Sequence, residues 1–150
     1  MSIQVVLGDP HHVEAVALLR QSHALMEELF PAESNHYLSI DALCEPNIRF
    51  FHAKVDDRIL GCAALAIKDG YGEIKSMFVS PDARGTGLAQ RLMEQLESCA
   101  RDENLPMMKL ETGYLLEAAH KLYHAHGFTE CAAFGDYEDD PINLFMEKTL

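Results

Sequence analysis

The stretch Val79-Ser80-Pro81-Asp82-Ala83-Arg84-Gly85-Thr86-Gly87-Leu88-Ala89 concentrates the means of holding an anion. A β-rich run ends at Ser80-Pro81, a turn with two glycines follows, and a helical apolar pattern starts at Leu88. The first N–H groups of a helix lack intrahelical partners and lie at the positive end of its dipole, so such a start can bind phosphate. Gly85 and Gly87 let backbone approach a diphosphate without an intervening Cβ. Arg84 adds a positive charge close by. No Gly-Lys-Ser/Thr follows, which excludes a Walker loop, and the third glycine of the dinucleotide fingerprint is absent. Taken alone, the turn reads equally well as a plain left-handed turn.

Other chemistry-bearing residues are less organised. His120 and His124 stand one helical turn apart, a spacing that can bind metal. No carboxylate or cysteine completes the set, so they read as solvent-facing and no metal is expected. Cys44, Cys62, Cys99 and Cys131 form no C-x-x-C pair and fall in or beside apolar runs. They read as reduced residues of a cytoplasmic protein rather than a disulfide frame or zinc site. Two acidic or polar segments stand out: Glu27, Glu28, Glu33, Ser34, Asn35 and His36 near the end of the first helical pattern, and Asp136 to Pro141 near the end of the chain.

The elements that must position these residues can be read from periodicity. Ile3 to Leu7 is a short strand. Asp9-Pro10 looks like an N-cap with proline at the first helical position, and Val13, Val16, Leu19, Met26 and Phe30 predict a helix over 11–29. Pro31 and Asn35 break it, and Tyr37 to Leu43 is expected as a second short helix. Ile48 to Val55 and Ile59 to Ile67 form a hairpin across Asp56-Asp57. Asp69-Gly70 marks the next turn, and Glu73 to Val79 is a third strand. Leu88, Leu92, Leu96 and Ala100 form one stripe of a helix stopped by Asn104 and Pro106. Met107 to Thr112 is a strand, Leu115 to His126 a helix with Gly127 after it, and Asn143 to Thr149 the last clear strand. The result is an α/β mixed-sheet fold with an antiparallel first half.

A chain of 150 residues argues for a single domain, 1–150. Its 48% apolar and 24% charged content is ordinary for a globular protein. The formal net charge of -12 repels nucleic-acid phosphates and anionic lipid, so neither nucleic acid nor membrane is an expected partner. A cationic small molecule or peptide would be attracted. The first residues lack a basic start and apolar segment of the signal-peptide kind, which makes secretion unexpected.

The anion turn gains force from its surroundings. It resembles motif A of the GNAT (Gcn5-related N-acetyltransferase) family, Q/R-x-x-G-x-G/A, with Arg84, Gly87 and Ala89 in the fixed slots. The run Gly72 to Val79 is similar to that family's fourth strand. Ala119-His120-Lys121-Leu122-Tyr123-His124-Ala125-His126-Gly127-Phe128 is similar to its late helix ending in tyrosine and Gly-Phe. Phe134 to Tyr137 with Asn143 to Leu150 looks like the tail of small bacterial members. These matches agree in order and spacing over residues 72 to 128.

The resemblance implies a GNAT fold: a central mixed, mostly antiparallel sheet with helices on both faces. It implies acetyl-CoA as cosubstrate and the primary amine of a small molecule or peptide as acceptor. Met77, Phe78 and Val79 would meet the pantetheine arm, and their N–H groups could polarise the thioester carbonyl. Arg84, Gly85, Thr86, Gly87, Leu88 and Ala89 would hold the pyrophosphate. Tyr123 would protonate the departing thiolate and Glu73 would serve as base. Glu73, Lys75, Met77 and Val79 share a face if the strand is regular, and a bulge would change that. The family's asparagine seven residues before the tyrosine is Leu116 here, so the arm loses one polar partner. Asp136 to Pro141 reads either as a solvated loop or as part of the acceptor mouth, and the resemblance implies that the segment after the first helix helps cover the acceptor. The alternatives are a non-catalytic acyl-CoA-binding module and an enzyme for longer acyl chains. Tyr123 favours an enzyme, because binding alone needs no acid beside sulfur. A homodimer remains open.

Overall fold

Asp56 and Asp57 both take positive φ, 49° and 69°, as a two-residue type I′ turn demands. They close β2 (Ile48–Val55) onto β3 (Arg58–Lys68), with Val55 opposite Arg58. Gly70, at φ 86°, turns β3 into β4 (Tyr71–Val79). The computed structural model describes residues 2–150. Its remaining elements are β1 (Ile3–Leu7), α1 (Val13–Leu29), α2 (Leu88–Asp102), β5 (Met107–Gly113), α3 (Glu117–Ala125), β6 (Thr129–Cys131) and β7 (Asn143–Thr149).

The strands form one sheet in the order β1-β2-β3-β4-β5-β7-β6. Every pairing is antiparallel except β4 with β5. Helices cover both faces. On one, the α2 stripe Leu88, Leu92, Met93, Leu96 and Ala100 packs with Leu65, Ile74, Leu110 and Tyr123. On the other, Ala15 and Leu19 of α1 pack with Phe50, Cys62 and Ala64. β3 is therefore buried on both sides, which explains its run of apolar residues without alternation.

Two expected boundaries shift. The first helix starts at Val13, not at residue 11. Asp9 Oδ1 accepts the His11 N–H at 2.9 Å in a turn of its own, and His12 Nδ1 caps the helix by accepting the Glu14 N–H at 3.2 Å. The short helix expected over Tyr37 to Leu43 is absent. Residues 31–47 instead form a strap with single 3₁₀ turns at Ala32–Ser34 and Ala42–Cys44. Its backbone is tied to distant side chains, including Lys75 Nζ on the His36 carbonyl at 2.9 Å, which a local helical pattern cannot anticipate.

No helix among the described residues is long and apolar enough to cross a membrane.

Candidate active site

β4 and β5 pair only through Gly72–Met108, Glu73–Lys109 and Ile74–Leu110. Beyond Ile74, β4 stays with β3 while β5 stays with β7, and the sheet opens between them. A bulge accentuates the opening. Two steps on β3, from Ala64 to Cys62, match three on β4, from Lys75 to Phe78. Ser76 takes φ 54° there, a conformation that a non-glycine residue adopts rarely.

The bulge corrects the expected strand face. Glu73 and Lys75 lie opposite Ala66 and Ala64, on the α1 side, and Phe78 joins them by packing beside Cys62. Met77 and Val79 pack with Ile74 on the α2 side. The same irregularity aims the backbone. Ser80 N–H bonds the Leu60 carbonyl at 2.7 Å, toward β3. By strand alternation the Val79 and Met77 amides point the other way, into the opening.

The anion turn lies at the end of β4. Ser80 Oγ accepts the Asp82 N–H at 3.3 Å, and Thr86 Oγ1 donates to the Ala83 carbonyl at 2.5 Å, which shapes the approach to α2. Gly85 and Gly87 take φ of 78° and 85°, and a Cβ at either would meet nothing within 4 Å. The glycines thus serve the turn's conformation and leave its outer side open. Intrahelical bonding begins with Arg91 N–H on the Gly87 carbonyl, so the Leu88, Ala89 and Gln90 amides are the free donors of the first turn. Leu88 is buried against the core and fixes the helix start.

At the other end of the opening is a cavity of about 140 Å³. Ser76, Met77, Glu111, Tyr123 and Asn143 are among its lining residues, with His36 and Tyr37 of the strap above. Tyr123 is buried, and burial pushes its phenol well above the ordinary range, with the Glu111 charge adding to the effect. It stays protonated at neutral pH, the state in which a phenol can donate. Burial also raises the Glu111 carboxyl, opposed by Lys75, His36 and a hydrogen bond from Asn143. Leu116 lines the cavity where the family's asparagine would stand.

Glu73 lies beside this cavity and lines the next one, with Tyr71, Asp136 and Tyr137. Tyr137 donates a short hydrogen bond to Glu73 Oε2. Lys75 Nζ donates to Tyr137 Oη at 2.8 Å and stands 3.5 Å from the same carboxylate oxygen. Burial and the Glu73 charge push the Tyr137 phenol far up. The late acidic segment thus reaches the cavity that Glu73 lines, through Tyr137, while Asp140 accepts from Ser34 Oγ at 2.7 Å. The strap lies across it: Phe30, at the end of α1, occupies the space that a Cβ on Gly113 would need, at 2.1 Å.

Sequence reading singled out neither Glu111 nor Asn143. The alternation of polar Lys109 and Glu111 with apolar Met108 and Leu110 was a visible signal for a carboxylate facing away from the α2 core. Nothing local marked Asn143, whose site comes from pairing with Gly113. His120 Nε2 contacts the Gly113 carbonyl at 2.9 Å, and no metal-competent group of side chains occurs among the described residues.

Two parallel strands that part beside a buried phenol and a carboxylate, followed by a glycine turn into a helix, can be set against known proteins. The Acetyltransferase (GNAT) family model matches residues 16–128, and this chain belongs to that family. It is 40% identical to an IAA acetyltransferase of Azospirillum brasilense, over 99% of both chains. It superposes on a Klebsiella pneumoniae protein carrying the name acyl-CoA N-acyltransferase with a TM-score of 0.83, at 29% identity and over 99% and 97% of the two chains. The fold is shared with an N-acetyltransferase of Thermoplasma acidophilum solved with coenzyme A, at a TM-score of 0.77, 15% identity and 100% coverage of both. The chain is a GNAT-family acetyltransferase, an enzyme whose family acts on an amine acceptor.

Proposed function

We propose that the protein transfers the acetyl group of acetyl-CoA directly to a primary amine of a small molecule or peptide, with both substrates bound at once. The observation that carries this reading is the parting of β4 from β5 after Ile74 and Leu110, with Tyr123 and Glu111 on the cavity between them and the Arg84–Ala89 turn following the end of β4. Acetyl-CoA, as substrate, supplies the activated acyl carbon and a thiolate leaving group. The free amides of Leu88, Ala89 and Gln90 suit its pyrophosphate, with Arg84 beside them. The Met77 and Val79 amides suit the pantetheine arm and the carbonyl oxygen that becomes negative during attack. Phe78 contributes packing on the opposite face.

The amine must lose a proton before or during attack. Its nitrogen forms the new bond to the acyl carbon, the carbon–sulfur bond breaks, and Tyr123 gives its proton to the leaving thiolate. Glu111 is the carboxylate on the same cavity as Tyr123, and its raised pKa brings it nearer the working pH of a base. Glu73 is a second candidate, because its short bond to Tyr137 offers a relay from the adjoining cavity. That cavity carries Glu45, Asp69, Glu73 and Asp136 against Lys68 and Lys75, a negative balance that suits a cationic acceptor.

A screen of amines, amino acids and peptides, read by thiol release, tests the activity. Initial rates with both substrates varied should give intersecting reciprocal plots. Parallel plots would exclude direct attack. Tight acetyl-CoA binding with no turnover of any amine would favour the binding-module alternative.

A further inference from the structure

Phe30, the residue that ends α1, brings an aromatic ring down onto β5. A Cβ on Gly113 would meet Phe30 Cζ at 2.1 Å and Cε2 at 2.5 Å. Only glycine leaves room for the ring there, the close approach that a glycine inside a strand often marks. Phe30 and Gly113 both line the cavity of about 140 Å³ that also holds Tyr123 and Glu111. The ring is therefore part of that cavity's wall on the α1 side.

The wall is firmly held. Phe30 is buried, and its N–H bonds the Met26 carbonyl at 3.0 Å. Tyr114 packs against its ring edge-on, with centroids 6.3 Å apart. A ring packed in this way has no free space to swing into.

From a thioester beside Met77, an acyl chain has few directions in which to lengthen. Along β4 the sheet closes at Ile74 and Leu110. Toward Lys75, Glu111 and His36 the lining is polar or charged, and methylenes gain little by lying against it. The apolar direction on the acceptor side runs to Met26 and Phe30, where the ring ends it. Size agrees with this reading. A core cavity of about 150 Å³ holds one benzene, or about six heavy atoms, and an acetyl group with the attacking nitrogen and its first carbon comes to about five. Propionyl fills such a space and butyryl exceeds it.

We infer that Phe30 is the end wall of the acyl site and restricts the donor to acetyl- and propionyl-CoA, which sets aside the longer-chain alternative. The inference rests on the acetyl transfer proposed above.

The test first reads binding, which needs no acceptor: calorimetric Kd values for acetyl-, propionyl- and butyryl-CoA. It then compares kcat/KM for the same donors with the strongest primary amine of the thiol-release screen. In the wild type, butyryl-CoA should fall below acetyl-CoA by roughly 10- to 100-fold in kcat/KM, the range for forcing extra methylenes into a packed site, with propionyl-CoA between them. Phe30→Ala should raise the butyryl-to-acetyl ratio by about 10-fold or more, in affinity as well as in kcat/KM, because it opens the wall. Phe30→Leu should raise it by less, and it carries the test if the alanine variant does not fold. Equal use of butyryl- and acetyl-CoA by the wild type overturns the inference. So does an unchanged ratio in the folded Phe30 variants, which would leave the ring as packing on Gly113. Failure of the wild type to bind any of the three thioesters would instead defeat the proposed function.

Discussion

The two ends of the opening are built differently. The proposed cofactor end uses one continuous stretch, from Met77 to Ala89: strand, turn and helix start. The proposed acceptor end draws on Ser34 and His36 of the strap, Glu73 and Lys75 of β4, Glu111 of β5, Tyr137 of the late loop and Asn143 of β7. A diphosphate has one geometry, and a helix start can answer it with local backbone. The second set of side chains comes together only in the complete sheet.

The sharpest way to break this contrast is at the turn. Gly87→Glu should abolish acetyl-CoA binding in calorimetric titration, because it places a carboxylate where the pyrophosphate would lie. Gly87→Ala separates that effect from backbone strain. Its Cβ meets nothing, so it should cost stability by about 1 kcal/mol through the φ of 85° and weaken binding far less. Wild-type affinity in a folded Gly87→Glu variant would remove the turn from the site. At the junction of the two ends, Tyr123→Phe should lower kcat by about 10²-fold and leave the acetyl-CoA Kd nearly unchanged. An unaltered kcat would leave Tyr123 as packing against Phe128.

The same division governed what the sequence could tell. Turn residues, hairpins and the α2 stripe are local, and Asp56-Asp57, Gly70, Gly87 and Leu88 to Ala100 read correctly because their conformations are set within a few residues. The bulge at Ser76 was not legible. A serine at φ 54° has no sequence signature, and its register shift alone moves Met77 and Val79 away from the Glu73 face. The strap failed for the opposite reason. Tyr37 to Leu43 was expected as a short helix, but the strap is held at Ser34 and His36 by Asp140 and Lys75, and only 3₁₀ turns form. Tyr123 and Glu73 entered as candidates through resemblance, whereas Glu111 and Asn143 became candidates only with the pairing of β5 with β7.

The two carboxylates offer a comparison inside the acceptor end, first in rate. If Glu111 receives the amine's proton, Glu111→Gln should lower kcat/KM by about 10²-fold and flatten its rise with pH, while Glu73→Gln should keep the pH dependence. The reverse pattern would make Glu73 and its Tyr137 contact the relay.

Stability should divide the pair in opposite directions. Lys75 and Glu73 have side chains only 10% and 6% exposed. Glu73→Gln would leave the Lys75 charge without its counter-ion, although the His36 carbonyl and Tyr137 hydroxyl still hold it. The loss should reach at most the ~3 kcal/mol of a broken buried pair. Glu111 is different, because burial is the leading cause of its raised pKa. A carboxyl whose folded pKa lies above the ordinary 4.5 binds its proton more tightly folded than unfolded. Stability then falls as pH rises from 4.5 through the folded pKa, since the folded state must ionise a group in a poor environment. Glu111→Gln removes that penalty. Its melting temperature should exceed that of the wild type at pH 8, and the gain should shrink as pH falls and vanish below 4.5, where both states of the wild type become protonated. Such a variant, more stable and nearly inactive, marks a residue kept in an unfavourable setting for its chemistry. A Glu111→Gln protein that melts below the wild type at every pH would make Glu111 a structural partner of Asn143, and the proton would have to leave by way of Glu73.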